Sequence, residues 1–376
     1  MSKILFVIGS LSTGGAERHL CLVLPYLRAK GFDVSVFCLT QKGELSHQLE
    51  EVGIKVYAPV LGKTKGKVRR FLKLFKVFFS LKSYIKKHNP DIVHMFLPEA
   101  YILGGFCCFF YPKIKFVMSR RSLNNYQKKY PFITRIESFL HKRMAAVSGN
   151  SKAVVKQLEE EGAPIDKLNL IYNGVDLDKY DLKQTKSEIR KKIGIDDDCL
   201  VLTMIANLFP YKGHADLFQA LSLIKDEMPE DWKLLLVGRD EGTEVSLKKY
   251  AKENDFLNHI YFMGMREDIP QILKASDIGL SCSHEEGFSN SILEMMASSL
   301  ALAVTNAGGN AESVEDGTSG FIVPAKEPSK MAEAILKLKD SDLRQKMGKA
   351  ARERAVKQFS LPKCIDTYEE FYKKVL

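Results

Sequence analysis

Residues Ser283–Pro324 read SHEEGFSNSILEMMASSLALAVTNAGGNAESVEDGTSGFIVP. A turn at Gly287-Phe288-Ser289 leads into helix-period sequence. Ser289 or Asn290 can cap that helix, because a short polar side chain there accepts from the open N–H groups of the first turn. The apolar run within Leu300–Asn306 then reads as a buried strand, as does Asp277–Ser283 ahead of the turn. Strand, helix, strand in this order builds a parallel sheet with helices on its faces. Glu286 stands just before the turn, and Glu294 lies eight residues further on, inside the helix. A helix start with open N–H groups suits a diphosphate. A carboxylate further along can accept from the two vicinal hydroxyls of a ribose, and one ahead of the cap can bind sugar hydroxyls. A solvated acidic turn with one incidental Glu explains the bare pair as well, so the rest of the chain has to decide.

Outward from this segment the alternation continues. Upstream, Cys199–Leu208, Lys233–Asp240 and Ile260–Met265 are strands, with helices over His214–Met228 and Glu244–Asn254 between them. A separate series fills the first half: Lys3–Gly9, Asp33–Leu39, Ile54–Val60, Asp91–Phe96, Lys115–Arg120 and Met144–Ser151. The polar stretch Leu182–Asp198 lies between the two series. The expectation is α/β: two Rossmann-like doubly wound domains facing across a cleft, residues 1–180 and 181–359, with ligands beyond the carboxyl ends of the strands.

Of the 376 residues, 45% are hydrophobic and 27% charged, the balance of a globular chain rather than a collagenous or disordered one. No apolar run reaches the roughly 18 residues of a spanning helix, and the N-terminus reads as a strand and turn rather than a secretory leader. The seven Cys are scattered without a C-x-x-C pair, so neither a disulfide framework nor a zinc knuckle is expected, and the setting is reducing and cytoplasmic. His residues lack metal-ligand spacing, and G-x-G-x-x-G is missing after the first strand. The net charge of +10 is uneven: residues 1–176 carry 28 basic and 13 acidic side chains, and residues 177–376 carry 28 and 33. A basic half calls for an anionic partner.

Glu285–Ala297 (EEGFSNSILEMMA) resembles the E-G-F-[GS]-x-x-x-L-E-A-M-A segment of the retaining family-4 glycosyltransferases, which have the two-domain GT-B fold. The resemblance runs in order along nearly the whole chain: TGGAERH from Thr13, DIVH from Asp91, LIYNGVD from Leu170, NLFPYKG from Asn207, LLLVGRDEG from Leu234, YFMG from Tyr261, ASDIGL from Ala275, and GG-x-x-E from Gly308. It implies that Glu294 binds the nucleotide ribose. Glu286 and the backbone of Gly287, Phe288 and Ser289 would hold the donor sugar and distal phosphate, with N–H groups near Ser289 and Asn290 on the leaving group. Lys212 would counter the charge growing on the diphosphate, which makes Lys212 and Glu286 the catalytic candidates. Gly14 and Gly15 would let the first loop approach donor phosphate or acceptor, and Met265 would line the base pocket, chiefly by its backbone. The family's usual Arg is missing at Asn207 and at Phe209, which leaves Arg239 as the candidate for a second phosphate cation. Where the family often has a His, this chain has Ser119-Arg120-Arg121; Arg120 would bind a phosphate of donor or acceptor, or face solvent. His94 is either an acceptor-side group or a packed strand-end residue. The resemblance further implies that residues 1–180 form the acceptor-binding domain and 181–359 the nucleotide-sugar-binding domain, and that the last helix, about 360–376, packs back on the first. The implied reaction is retaining transfer of a hexose or N-acetylhexosamine from a nucleoside-diphosphate sugar, a UDP-sugar above all, without metal or cofactor. The acceptor would be a glycan, lipid-linked, in bacterial-type surface polysaccharide or glycoconjugate synthesis. A nucleotide-sugar epimerase of the same fold and an inactive membrane-associated scaffold are the alternatives.

Lys63–Lys87 has ten basic residues and no acidic one. At 100° per residue Val68, Phe71, Leu72, Phe75, Phe78 and Phe79 share a face, with Arg69, Lys73 and Lys76 on the other side. Such a helix suits a membrane interface, with Arg69, Arg70, Phe71, Lys73, Phe75, Lys76 and Phe79 as contacts; the alternative is that its apolar face packs on the sheet. The expected location is the inner face of the cytoplasmic membrane, as a peripheral protein. No nucleic-acid-binding pattern is present.

Overall fold

The computed structural model describes residues 1–12, 14–61, 67–124, 127 and 130–376, with side chains in the helix from Lys67 described from Leu72 onward. The chain forms two units, Met1–Asn173 with Pro362–Leu376, and Gly174–Leu361.

The first unit is built on β1 (Lys3–Ser10), β2 (Asp33–Gln41), β3 (Lys55–Tyr57), β4 (Ile92–Phe96), β5 (Lys115–Arg120), β6 (Ala146–Gly149) and β7 (Leu168–Leu170). All run parallel, in the order β3-β2-β1-β4-β5-β6-β7. Central β1 is continuously apolar over Ile4–Ile8 rather than alternating, as a strand covered on both faces must be. The C-terminal helix Leu361–Val375 completes this unit. It buries Tyr368 and Tyr372, whose hydroxyls lie 3.0 Å from His19 Nε2 and 2.7 Å from His94 Nδ1. Lys30 reaches Asp366 and Glu369 of the same helix, each at 2.9 Å.

The helix Lys67–His88 packs through Val77, Leu81 and Ile85, a stripe at i, i+4 and i+8 that joins the sheet's core. Of the face grouped from the sequence, Phe78 is half-buried, and Leu72, Phe75 and Phe79 stay 54%, 47% and 57% exposed. The sheet therefore takes a neighbouring stripe. After β4, the helix Pro98–Gly105 buries Tyr101, but the turn that follows leaves Phe106, Phe109 and Phe110 exposed.

The second unit holds β8 (Leu200–Ile205), β9 (Trp232–Val237), β10 (Ile260–Gly264), β11 (Ile278–Ser281), β12 (Ala301–Thr305) and β13 (Gly320–Val323), all parallel, in the order β10-β9-β8-β11-β12-β13. Leu177–Tyr180, placed in the first domain from sequence, belongs here. The segment following it is tied to the Ser341–Phe359 helix by a two-pronged Arg352–Asp181 pair at 2.9 and 2.8 Å. Among the described residues no helix is long and apolar enough to cross a membrane, and all seven Cys are free thiols.

Candidate active site

In the second sheet the chain order reverses between β8 and β11, and crevices at such switch points bind ligands. Lys212 and the turn around Glu286 are on the loops leaving the carboxyl ends of these two strands. The loop after β8 tightens into a short turn, Pro210–Lys212, and ends at Gly213 with φ +75°. A side chain at Gly213 would collide with the Cys282 carbonyl oxygen, so glycine is what allows the first loop to lie against the end of β11. His284 N–H donates to the Tyr211 carbonyl at 2.7 Å, and His284 Nε2 lies 2.7 Å from Asp216. These contacts bring Lys212 onto Glu286: Lys212 Nζ donates to Glu286 Oε1, which also accepts from Ser283 Oγ at 3.0 Å. Both side chains of this ion pair are about four-fifths buried, at 19% and 15% exposure.

Beyond Glu286, Gly287, Phe288 and Ser289 are buried. Phe288 packs on Phe359 with ring centroids 5.3 Å apart, and the Gly287 carbonyl accepts from Gly309 N–H at 3.1 Å. Ser289 occupies the cap position of the helix Asn290–Ala297, but its hydroxyl turns to Ser291 Oγ at 3.0 Å and makes no capping bond. The start of that helix therefore carries no side-chain cap, the condition for receiving an anion. Glu294 lies half-buried in the second turn of the same helix.

Asn207 and Arg239 meet, but through the backbone: Asn207 Oδ1 accepts from Arg239 N–H at 3.0 Å. The Arg239 guanidinium is 55% exposed and paired with Glu241. Met265 is exposed beyond β10. Sequence reasoning missed Ser283, which steadies Glu286, and Thr305, whose hydroxyl donates to the Ser283 carbonyl at 2.6 Å. It also missed buried His214, next to Gly213; burial first, and nearby Lys212 second, lower its pKa to about 4, so the ring is neutral. Hydroxyl donors within three residues of a motif Glu are the signal that would have found Ser283.

In the first unit the Arg120 expectation is corrected, and of the two readings of His94 the packed strand-end residue is the one found. Arg120 faces neither solvent nor an open phosphate site: at 4% exposure it is gripped by Glu161 and by Glu137 at 3.2 Å. His94 is fully buried, with Nδ1 on Tyr372 and Nε2 2.7 Å from Ser119 Oγ, so neither nitrogen is left for an acceptor. Burial holds its pKa at about 3. Gly14 and Gly15 are at the start of the helix Gly15–Ala29, where the Glu17 carboxylate folds back over Gly14. Among the membrane candidates, Lys73 is half-buried and Phe75, Lys76 and Phe79 are exposed; the side chains of Arg69, Arg70 and Phe71 lie outside the described residues. Among the described residues no cluster of His, Cys, Asp and Glu could hold a metal.

Two all-parallel doubly wound units, with a cation and a carboxylate at the switch point of the second beside an uncapped helix start, define the GT-B class of sugar-transferring enzymes. Comparison with known proteins agrees. The family model "Glycosyl transferases group 1" matches residues 185–354, and "Glycosyltransferase Family 4" matches residues 13–179. The chain is 26% identical to the UDP-Gal:alpha-D-GlcNAc-diphosphoundecaprenol alpha-1,3-galactosyltransferase of Escherichia coli, covering 95% of this chain and 93% of that protein. It is 25% identical to the N,N'-diacetylbacillosaminyl-diphospho-undecaprenol alpha-1,3-N-acetylgalactosaminyltransferase of Campylobacter jejuni, over 98% of this chain and 99% of that one. The crystal structure of Anabaena HepE in complex with UDP and glucose superposes with a TM-score of 0.85 at 23% identity, covering 99% of this chain and all of that one, and shares the fold. The chain belongs to glycosyltransferase family 4 and is a GT-B glycosyltransferase.

Proposed function

We propose that the protein transfers a hexose or N-acetylhexosamine from a UDP-sugar, with retention at the anomeric carbon, to a sugar-capped polyprenyl diphosphate at an anionic membrane surface. The observation that carries this reading is the Lys212–Glu286 pair beside the uncapped Asn290–Ala297 helix. Breaking the anomeric C–O bond builds charge on the departing diphosphate. In this reading the Lys212 ammonium and the N–H groups at that helix start absorb it, and Glu286 takes hydroxyls of the donor sugar. Glu294, further along the helix, suits the ribose. The two relatives whose names give lipid diphosphate acceptors match along nearly their whole length, which supports the acceptor class. The exposed rings and lysines of the Lys67–His88 helix support membrane contact.

The test is turnover and UDP binding with a panel of UDP-sugars. Lys212→Ala is expected to lower kcat by about 10²–10³ with a smaller effect on donor KM, and Glu294→Ala to weaken UDP binding. Wild-type behaviour in both variants would overturn the assignment. UDP-sugar isomerisation without acceptor would favour the epimerase instead.

A further inference from the structure

The turn that carries Lys212 also carries two rings that the proposed donor chemistry leaves without a part. Phe209 and Tyr211 flank Pro210, and their rings stack with centroids 5.5 Å apart and planes 19° from parallel, an arrangement that aromatic pairs favour. Phe209 is half-buried and Tyr211 is 43% exposed. The backbone that bears them is tied down. Phe209 N–H donates to the Asn207 carbonyl at 2.7 Å, Lys212 N–H to the Phe209 carbonyl at 3.0 Å and Gly213 N–H to the Pro210 carbonyl at 3.2 Å. The Tyr211 carbonyl accepts from His284 N–H, and the His284 ring is itself held by Asp216 in the first turn of the helix His214–Ile224. An exposed ring on a loop is ordinarily free to swing. This one stands on a turn fastened both to itself and to the loop of Glu286.

Tyr211 faces a cation. Lys212 Nζ lies 5.3 Å from the centroid of its ring, inside the roughly 6 Å over which a ring quadrupole attracts an ammonium. Lys212 is about four-fifths buried, which strengthens the contact by removing competing water. The same nitrogen donates to Glu286. The two partners hold it in different ways. A carboxylate is an anionic acceptor, so it competes with a phosphate for the three N–H donors of the ammonium. A ring face carries no net charge, and it can stay in contact with the cation while those donors turn to another anion. A lysine stem has four flexible carbons, and fixing them costs rotamer entropy that a preformed contact offsets before the reaction begins.

We infer that Tyr211 is a positioning residue for the transfer step: its ring, braced by Phe209, keeps the Lys212 ammonium aimed at the departing diphosphate once Glu286 has released it. The inference rests on the role proposed above for Lys212 and assigns what aims that side chain. Tyr211 acts through the ammonium and not on the reacting atoms, so its removal is felt in turnover more than in donor affinity.

The experiment measures UDP release by the full chain from UDP-glucose, UDP-galactose and their N-acetylhexosamine counterparts, with an N-acetylglucosamine-capped alkyl diphosphate as acceptor. Tyr211→Phe is expected to keep kcat within about threefold of wild type, and Tyr211→Leu to lower it by about tenfold with a smaller change in donor KM. Phenylalanine bearing one, two or three ring fluorines at position 211 keeps the ring's size while draining its face, and kcat is expected to fall stepwise along that series. In a Lys212→Ala background, Tyr211→Leu is expected to cost less than about twofold more, since the contact is already gone. Thermal unfolding of each variant is recorded alongside, and unaltered unfolding with a graded fluorine series supports the assignment. It is overturned if the fluorinated rings all match Tyr211→Phe, if the Tyr211→Leu loss recurs in full in the Lys212→Ala background, or if donor KM rises with kcat unchanged, as a ligand platform would show. A Lys212→Ala loss combined with a flat fluorine series sinks this inference alone. Wild-type turnover in Lys212→Ala removes the donor reading, and this inference with it.

Discussion

Lys212 and Glu286 neutralise one another, although they are 74 residues apart in sequence. On the proposed function, an arriving diphosphate has to draw the ammonium away from its carboxylate, and the carboxylate so released becomes available to sugar hydroxyls, so that donor binding and preparation of Glu286 would be one event. Glu286→Gln removes the competitor and one nearby negative charge. It is expected to tighten UDP on the order of tenfold, less at high salt, while slowing transfer from the intact UDP-sugar. Calorimetry with UDP beside steady-state kinetics checks it; UDP affinity that falls in Glu286→Gln would show that the pair is not competitive. Each residue stands out in its motif, but the pairing does not, since it depends on the Gly213–Cys282 approach and on the His284 contacts with Tyr211 and Asp216 that bring the two loops together. Arg120 was misread for the same reason. Its carboxylate partners are 17 and 41 positions away, and nothing local marks a strand-end arginine as already neutralised.

At the scale of elements, the strands were the legible part. A continuous apolar run such as Ile4–Ile8 suits a strand covered on both faces, as the strands of a parallel sheet flanked by helices are, and it is buried throughout. The Lys67–His88 helix was harder, because apolar residues occupy more than one of its faces and the sheet selects which stripe it takes. It selected Val77, Leu81 and Ile85 and left rings outside. Phe75 and Phe79 lie 6.4 Å apart, Phe79 touches Phe78, and Phe78 meets Phe110 edge-on at 6.1 Å. Phe109 stacks on Phe139 at 5.9 Å. Lys82 caps the Phe110 ring at 3.6 Å, and Arg143 lies 5.5 Å from the rings of both Phe109 and Phe139. A seam of rings with basic heads is the composition of an interfacial anchor. Replacing Phe79, Phe109 and Phe110 together by Ser is expected to lower binding to vesicles containing phosphatidylglycerol by tenfold or more, without slowing transfer to a water-soluble acceptor. Flotation that is unchanged in the triple variant would leave these rings without that role.

For the molecule as a whole, buried histidines set the pH response. Burial depresses His94 to about 3 and His214 to about 4, and puts His19 well below the ordinary range. In the unfolded chain each titrates near 6.5. Below that pH the unfolded state binds protons that the folded state refuses, so stability is complete above about pH 6.5 and is lost as pH falls towards the folded values. Each histidine can cost up to about 1.4 kcal/mol per pH unit in that window. The midpoint of thermal unfolding is expected to fall steadily between pH 7 and pH 5, and less steeply in His214→Leu. A flat profile in wild type would contradict the burial of these rings.

Tyr368 and Tyr372, on the Leu361–Val375 helix, close the core of a unit whose other elements all precede residue 174. During synthesis the N-terminal sheet thus emerges early yet stays a few side chains short of completion until the final helix has left the ribosome. Until that helix emerges, Phe6, Phe32 and His94 lack the Tyr372 ring that packs on them, and uncovered rings are the kind of surface on which chaperones act.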